Sequence, residues 1–482
     1  MLDFRPIFLV LGVLLSTLAI VMLVPGIVDL VVGNSDWQIF AVSGALTLFI
    51  GVSLVLTSRA GRANLNVRQA FVLTSLSWIV LTIFAALPFA FSQLDMSPTD
   101  AFFEAMSGIT TTGATVIINL DAAPQGLLLW RALLQWLGGI GIIVMALAVL
   151  PMLRVGGMQL FRMESSDQSE KAMPRAAQVA AAIGIIYLAL TVIWSGALWL
   201  AGLSGFDAIT HAMTTIATGG FSTHDESIAY FQSATVDVII TFGMFIGSLP
   251  FLLYLSAVRG RPGSLFRDSQ VQWFVTVLAV VIILVSGWLW IDKGLTPIQA
   301  IQLASFNVVS IMTGTGYATA SFDTWGSFAI PIFFFIMFVG GCAGSTTCGI
   351  KVFRFQVLYA AAKTQFENLA QPHGVFIPYY NRNPISDEVI KSVLSFFFVF
   401  GVTFAVLAVG LAMLGLDFLT SVSGAASAIA NVGPGLGPII GPEGSYVSLP
   451  DAAKWLLSAG MLLGRLELFT VMVLFTRAFW RA

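Results

Sequence analysis

Apolar runs of about 20 or more residues follow one another along almost the entire chain, separated by short polar turns and by apolar stretches of roughly half that length. The runs are continuous and do not alternate, which predicts membrane-spanning helices and argues against a β-barrel. Two full spans are expected at 7–32 and 38–58. Four similar units follow, each read as a span, a half helix, a Gly/Thr-rich break and a second span. Unit one is placed at 69–92, 98–110 and 126–153; unit two at 176–203, 205–217 and 233–258; unit three at 271–291, 296–312 and 326–358, the last interrupted; unit four at 389–414, 417–430 and 451–478. The expected division is thus 1–68, 69–175, 176–268, 269–388 and 389–482, an all-α polytopic membrane protein with ten crossings and four re-entrant half helices. At about 1.5 Å per residue the half helices fall short of a hydrocarbon core of roughly 30 Å, so each must enter and leave on one side.

The four breaks read Thr111-Thr112-Gly113, Thr218-Gly219-Gly220, Gly314-Thr315-Gly316 and Asn431-Val432-Gly433. Each carries a central glycine at the same place, and these lie 107, 96 and 117 residues apart. Non-helical backbone at membrane depth persists only where it is buried in protein or lines water. Four such loops in one chain predict a pseudo-fourfold ring of backbone carbonyls, the arrangement that replaces the hydration shell of a monovalent cation. Asp100 and Asp207 lie 13 residues before their glycines, Ala300 and Asp417 lie 16 before theirs, and the aspartates are expected to serve the helix N-termini. Units one and two therefore share one spacing and units three and four another. Stretches such as Gly138-Gly139-Ile140-Gly141 read as close helix packing.

Composition and charge agree with a membrane protein: 57% of residues are hydrophobic and 10% charged. With the N-terminus inside, 18 of the 22 basic residues fall in cytoplasmic loops, Lys351 and Arg354 among them. The outer side holds Arg131, Lys293 and Lys454, together with 15 of the 24 acids, which would attract cations to the mouth. Cys342 and Cys348 make neither a disulfide framework nor a zinc site. His211, His224 and His373 read as ordinary polar residues, with His224 near the outer mouth and open to mild pH sensitivity.

Two features depart from fourfold repetition. The closing span of unit three breaks at Gly340-Gly341-Cys342-Ala343-Gly344-Ser345-Thr346-Thr347-Cys348-Gly349. A loop of small residues there can change shape without repacking bulky groups. Its resemblance to a phosphate-binding loop fails, because the lysine is one place late, no Ser/Thr follows it and no strand precedes. Arg465 lies about 21 Å along the last span if that span starts near Asp451, and Glu467, two residues on, is expected to point elsewhere.

With its four repeats, one matched glycine per break and two extra N-terminal spans, the chain resembles the TrkH/KtrB superfamily of K+ transport proteins, on the TrkH branch. That resemblance implies K+ uptake across a bacterial inner membrane, with K+ as the transported ion; because the breaks differ from one another and from the Thr-Val-Gly-Tyr-Gly run of K+ channels, looser discrimination of K+ from Rb+ or Na+ is expected. It also implies a homodimer, a cytosolic nucleotide-binding ring of the TrkA type and a gating role for the 340–349 loop, while the bias of basic residues predicts cytoplasmic N- and C-termini. Arg465 is expected beneath the filter, bonded to carbonyls of that loop. No nucleic acid and no resident cofactor are expected. A membrane enzyme would need an intramembrane acid–base set, and only Arg465 and Glu467 lie clearly deep. A carrier with inverted repeats would not show four parallel units.

Overall fold

The computed structural model describes residues 3–59, 66–148 and 172–481, and the side chains of 146–148 and 172–177 are left aside. Arg62, Arg154, Arg162 and Lys171, expected in inner loops, lie outside the described residues. Among the described residues the fold is helical apart from one two-residue antiparallel pairing of Tyr379–Tyr380 with Asn383–Pro384. Among the described residues, seven helices are long and apolar enough to cross a membrane, or nine if two sharply bent pairs are each taken as one span. The tenth expected crossing is divided between Ala329–Ile336 and Val352–Ala370.

The N-terminal pair, Arg5–Val32 and Trp37–Thr57, packs closely through Gly12 and Gly51, where a methyl group would lie 2.6 Å and 2.7 Å from the facing helix. In units two to four the opening spans face outward. The apolar windows of Gln178–Leu200, Ser269–Asp292 and Asp387–Met413 are only 17, 22 and 28% buried. The closing span of unit one, within Gln125–Met145, is 72% buried. Such outward apolar faces suit lipid, and the closing spans form the interior.

The half helices are Pro98–Ile109, Gly205–Ile216, Pro297–Met312 and Phe418–Ala430. Their N-caps are Ser97, Ser204, Thr296 and Asp417, each accepting a backbone N–H three residues on. This revises the expected register. Asp100 and Asp207 occupy the third helical position and bond back to their capping serines, whereas Asp417 is itself the cap. Counted from cap to central glycine, units one, two and four share a spacing of 16 residues, and unit three is one turn longer at 20.

A second revision concerns the closing spans of units two and four, expected to be continuous. Unit two bends by 93° between Ala234–Gly247 and Phe251–Val258, at Ser248-Leu249-Pro250. Pro250 lacks the N–H that a continuing helix would need. Unit four bends by 110° between Asp451–Arg465 and Leu468–Phe475, where Glu467 adopts a left-handed φ of 59°. Breaks thus interrupt three closing spans, not unit three alone.

Candidate functional site: a ring built from four helix ends

Each half helix ends in the same way. The residue two before the central glycine has positive φ: Thr111 (53°), Thr218 (50°), Gly314 (71°) and Asn431 (52°). Its N–H and the next one return to the last helical turn. Thr112, Gly219, Thr315 and Val432 donate to the carbonyls of Ser107, Thr214, Ser310 and Ser427 at 2.8–3.0 Å. This is the Schellman termination, which normally favours glycine or asparagine in the left-handed place. Thr111 and Thr218 are β-branched and strained there, the kind of strain that collects at functional sites. The central glycines Gly113, Gly220, Gly316 and Gly433 return to positive φ, at 85, 80, 84 and 102°. The residue between keeps ordinary φ, so handedness alternates three times in each break.

The four breaks meet in a closed ring. A methyl group on Gly113 would lie 2.3 Å from the Gly219 carbonyl oxygen; on Gly220, 1.8 Å from that of Thr315; on Gly316, 2.1 Å from that of Val432; and on Gly433, 2.7 Å from that of Thr112. Each glycine therefore makes room for the carbonyl that precedes the next unit's glycine, and the fourth unit returns to the first. One cavity is lined by all four glycines together, with Arg131, His224 and Tyr446 on its walls.

Buried polar groups hold the ring from behind. Glu104 accepts the Val116 N–H at 2.9 Å and pairs with Arg131 at 2.8 Å, and Arg131 donates to the Ser222 carbonyl at 2.7 Å and lies over the Phe221 ring. Arg131, assigned from sequence to the outer side, is thus a buried, charge-balanced tie between units one and two. Tyr446 and Ser427 both donate to the Gly433 carbonyl, at 2.7 and 2.8 Å. Asn431 donates to the Thr112 hydroxyl and to the Met461 carbonyl, both at 2.9 Å. Lys454 reaches Asp100 at 2.5 Å, tying the closing span of unit four to the half helix of unit one. Ser107, Thr214, Ser310 and Ser427 stand six residues before the four glycines, all buried. Sequence reading missed them, although aligning the units on their glycines would have exposed the column.

The packing reading of Gly138 fits. A methyl there would lie 1.9 Å from the Ile109 carbonyl oxygen, and Gly464 and Gly247 stand similarly against Ile429 and Ile216. In each case a closing-span glycine receives a carbonyl from the last two residues of its own unit's half helix.

On the side of the ring where the half helices end sits the 340–349 loop. Its neck is closed by backbone bonds from Ile350, Lys351 and Val352 to Phe338, Val339 and Gly341 at 2.9–3.0 Å, with Gly340 and Gly349 in close approach across it. Gly344 has positive φ, and its carbonyl accepts the Phe251 N–H. Ser345 donates to the Cys342 carbonyl at 2.6 Å. Thr346 is 3.0 Å from the Thr218 hydroxyl and donates to the carbonyls of Gly247 and Ile216 at 2.9 and 3.2 Å. The loop thus abuts both the break of unit two and the bend in its closing span. Arg465, buried, donates to the carbonyls of Thr346 (3.2 Å) and Gly138 (2.9 Å) and to the Cys348 sulfur (2.6 Å).

One charge assignment is corrected here. Lys351 and Arg354, expected in a cytoplasmic loop, are buried, because the chain folds back at the loop's neck before the helix of Arg354 begins. Glu467 points away from Arg465, as expected. The bend at Leu466 swings it onto Arg354, with which it forms a buried ion pair, and Arg354 also lies 3.7 Å from the Phe396 ring centroid. Breaking such a pair on one side costs about 3–5 kcal/mol, because the remaining charge stays buried. His211 is buried and bonded to the Asp207 carbonyl and the Ser222 hydroxyl, an ordinary structural histidine.

Fold and ring together define a polytopic helical membrane protein in which four re-entrant loops surround a common axis. The TrkH family profile, described as cation transport protein, matches residues 37–481, and the chain belongs to that family. It is 46% identical over 478 residues to the Trk system potassium uptake protein TrkI of Halomonas elongata, covering 99% of this chain and 97% of that one. To TrkH of Escherichia coli K12 it is 37% identical over 484 residues, covering 99% and 100%. The crystal structure of the potassium transporter TrkH from Vibrio parahaemolyticus superposes with a TM-score of 0.93 at 36% identity, each chain covered in full. These relatives are transport proteins, not enzymes.

Proposed function

We propose that this chain is a K+ uptake subunit whose ring of carbonyls at Thr112, Gly219, Thr315 and Val432 is the selectivity filter. One observation carries the reading: four carbonyls, one per unit, each stand against the preceding unit's glycine, and those four glycines line a single cavity. Backbone oxygens at fixed spacing around an axis are the ligand set that a dehydrated monovalent cation requires. The residues flanking them, Thr111, Gly113, Thr218, Gly220, Gly314, Gly316, Asn431 and Gly433, hold the alternating dihedrals that fix those oxygens. K+ is the cargo, with Rb+ and, less well, Na+ admitted.

The loop at Gly340, Gly341, Gly344, Ser345, Thr346 and Gly349 is the gate, and Arg465 is its latch. Hydrogen bonds from Arg465 to the Thr346 carbonyl and from Thr218 of the unit-two break to the Thr346 hydroxyl support this. The bias of basic residues supports cytoplasmic termini and inner-membrane placement, and the division at 68, 175, 268 and 388 follows the units. A homodimer and a cytosolic nucleotide-binding ring of the TrkA type rest on the family resemblance. Reversal potentials of the purified protein in planar bilayers, under opposed K+ and Na+ gradients, test the reading. A potential near that of K+ is the expected result; a potential that ignores the K+ gradient refutes it.

A further inference from the structure

At the position before the central glycine, three units carry side chains (Thr112, Thr315 and Val432), and unit two carries Gly219. The place of the missing side chain is taken. A methyl built on Gly219 would lie 2.4 Å from both Cδ and Oε1 of Gln135 and 2.9 Å from its Nε2. Gln135 comes from the closing span of unit one and is fully buried. Its Nε2 donates to the Gly219 carbonyl at 2.6 Å, and its Oε1 accepts the Phe221 N–H at 3.0 Å. One amide thus grips unit two on both sides of Gly220, and the two bonds together fix which end donates.

The other units manage this position differently. Units one and three pair hydroxyls two residues apart, Thr110 with Thr112 at 2.8 Å and Thr313 with Thr315 at 2.7 Å. Unit two has Ala217 and Gly219 there and cannot do so. Among the described residues, no hydrogen-bond donor reaches the carbonyls of Thr112, Thr315 or Val432. The Gly219 carbonyl alone is held by a side chain.

We infer that Gln135 is a positioning residue that sets ion preference, by fixing the direction of the Gly219 carbonyl and filling the volume that a filter side chain occupies elsewhere. The inference rests on the filter reading above. An oxygen bonded sideways to an amide has less freedom to close on a smaller ion, so this contact favours K+ over Na+. A net hydrogen bond of ordinary strength corresponds to about a fivefold change in an equilibrium.

The test uses the full-length protein in bilayers, reading the K+/Na+ permeability ratio from reversal potentials. Gln135→Met keeps volume without the hydrogen bonds, and Gln135→Ala removes both. Each is expected to lower the ratio by about fivefold or more. Gly219→Thr alone collides with Gln135 and abolishes flux, while Gly219→Thr with Gln135→Ala lets the threonine fit as in units one and three and restores it. An unchanged ratio in both Gln135 variants, or Gly219→Thr flux that does not depend on residue 135, overturns the inference. Gly113→Ser run alongside separates the two levels. If it alters the ratio and Gln135→Met does not, Gln135 is merely structural; if neither alters it, the filter assignment itself falls.

Discussion

Replacing the four central glycines one at a time by alanine should not give four equal results. Two costs arise. The first is conformational: an L-residue at left-handed φ costs about 1–2 kcal/mol, and with φ between 80 and 102° at all four sites this part is similar throughout. The second is collision, and it differs. Real Cβ contacts do not fall below 3.0 Å, so the facing carbonyl must retreat by about 1.2 Å for Gly220, 0.9 Å for Gly316, 0.7 Å for Gly113 and 0.3 Å for Gly433. Overpacking against backbone typically adds about 1–3 kcal/mol. Gly433→Ala should therefore lose little beyond the conformational term, about 1–2 kcal/mol, and Gly220→Ala about 2–5 kcal/mol. The carbonyl that moves farthest is also the ligand most displaced, so K+/Na+ permeability ratios should fall in the same order, with Gly220→Ala worst. Thermal unfolding in detergent and reversal potentials on the same four variants measure both. Equal losses at the four sites, or Gly433→Ala as the most damaging, would refute the interlocked-ring argument.

Arg465→Ala removes one charge-assisted bond to a loop carbonyl, that of Thr346, worth about 1.5–3 kcal/mol, and should shift the loop toward its open arrangement by about tenfold or more; unchanged Rb+ flux in proteoliposomes would count against a latch. His224 lies between Asp121 (2.5 Å) and Asp207 (3.6 Å) and stacks on Tyr230. Burial disfavours its charged ring, but the hydrogen bonds and charges of Asp207 and Asp121 outweigh this and raise its pKa above the ordinary value. A raised pKa places the stabilisation fully below about pH 6.5 and removes it as pH rises through the folded-state value. The difference in melting temperature between the unaltered protein and His224→Gln should accordingly shrink from about pH 6.5 upward, and a difference constant with pH would exclude the charged pairing.

The half helices and the four glycines were legible because both are local: a short apolar run, then a residue that alone tolerates positive φ. Thr111 and Thr218 were legible only as neighbours of glycine, since nothing in a threonine announces a left-handed helix end. The bend in unit two carried a local sign in Pro250 that a long apolar run outweighed. The bend in unit four carried none. Leu466 and Glu467 are unremarkable helix residues, and what holds the turn is an ion pair with Arg354, 113 positions earlier. Lys351 and Arg354 were misplaced because the neck that folds them back closes through backbone bonds to Phe338, Val339 and Gly341, which their charge does not announce. Gln135 did leave a trace, an amide inside an apolar span, but its partner lies on another unit and spacing cannot reveal it.

The ring has a mechanical consequence. Each carbonyl is braced by a neighbour's glycine, so no member can be enlarged or turned without displacing the next, and the series closes on itself. Such an assembly behaves as an arch of four stones: rigid as a whole, with no slack to adjust at any single stone. Differences in ion preference between chains built this way would have to be introduced from the masonry behind, at positions such as Gln135 and Tyr446, where one unit can be altered without unseating the others.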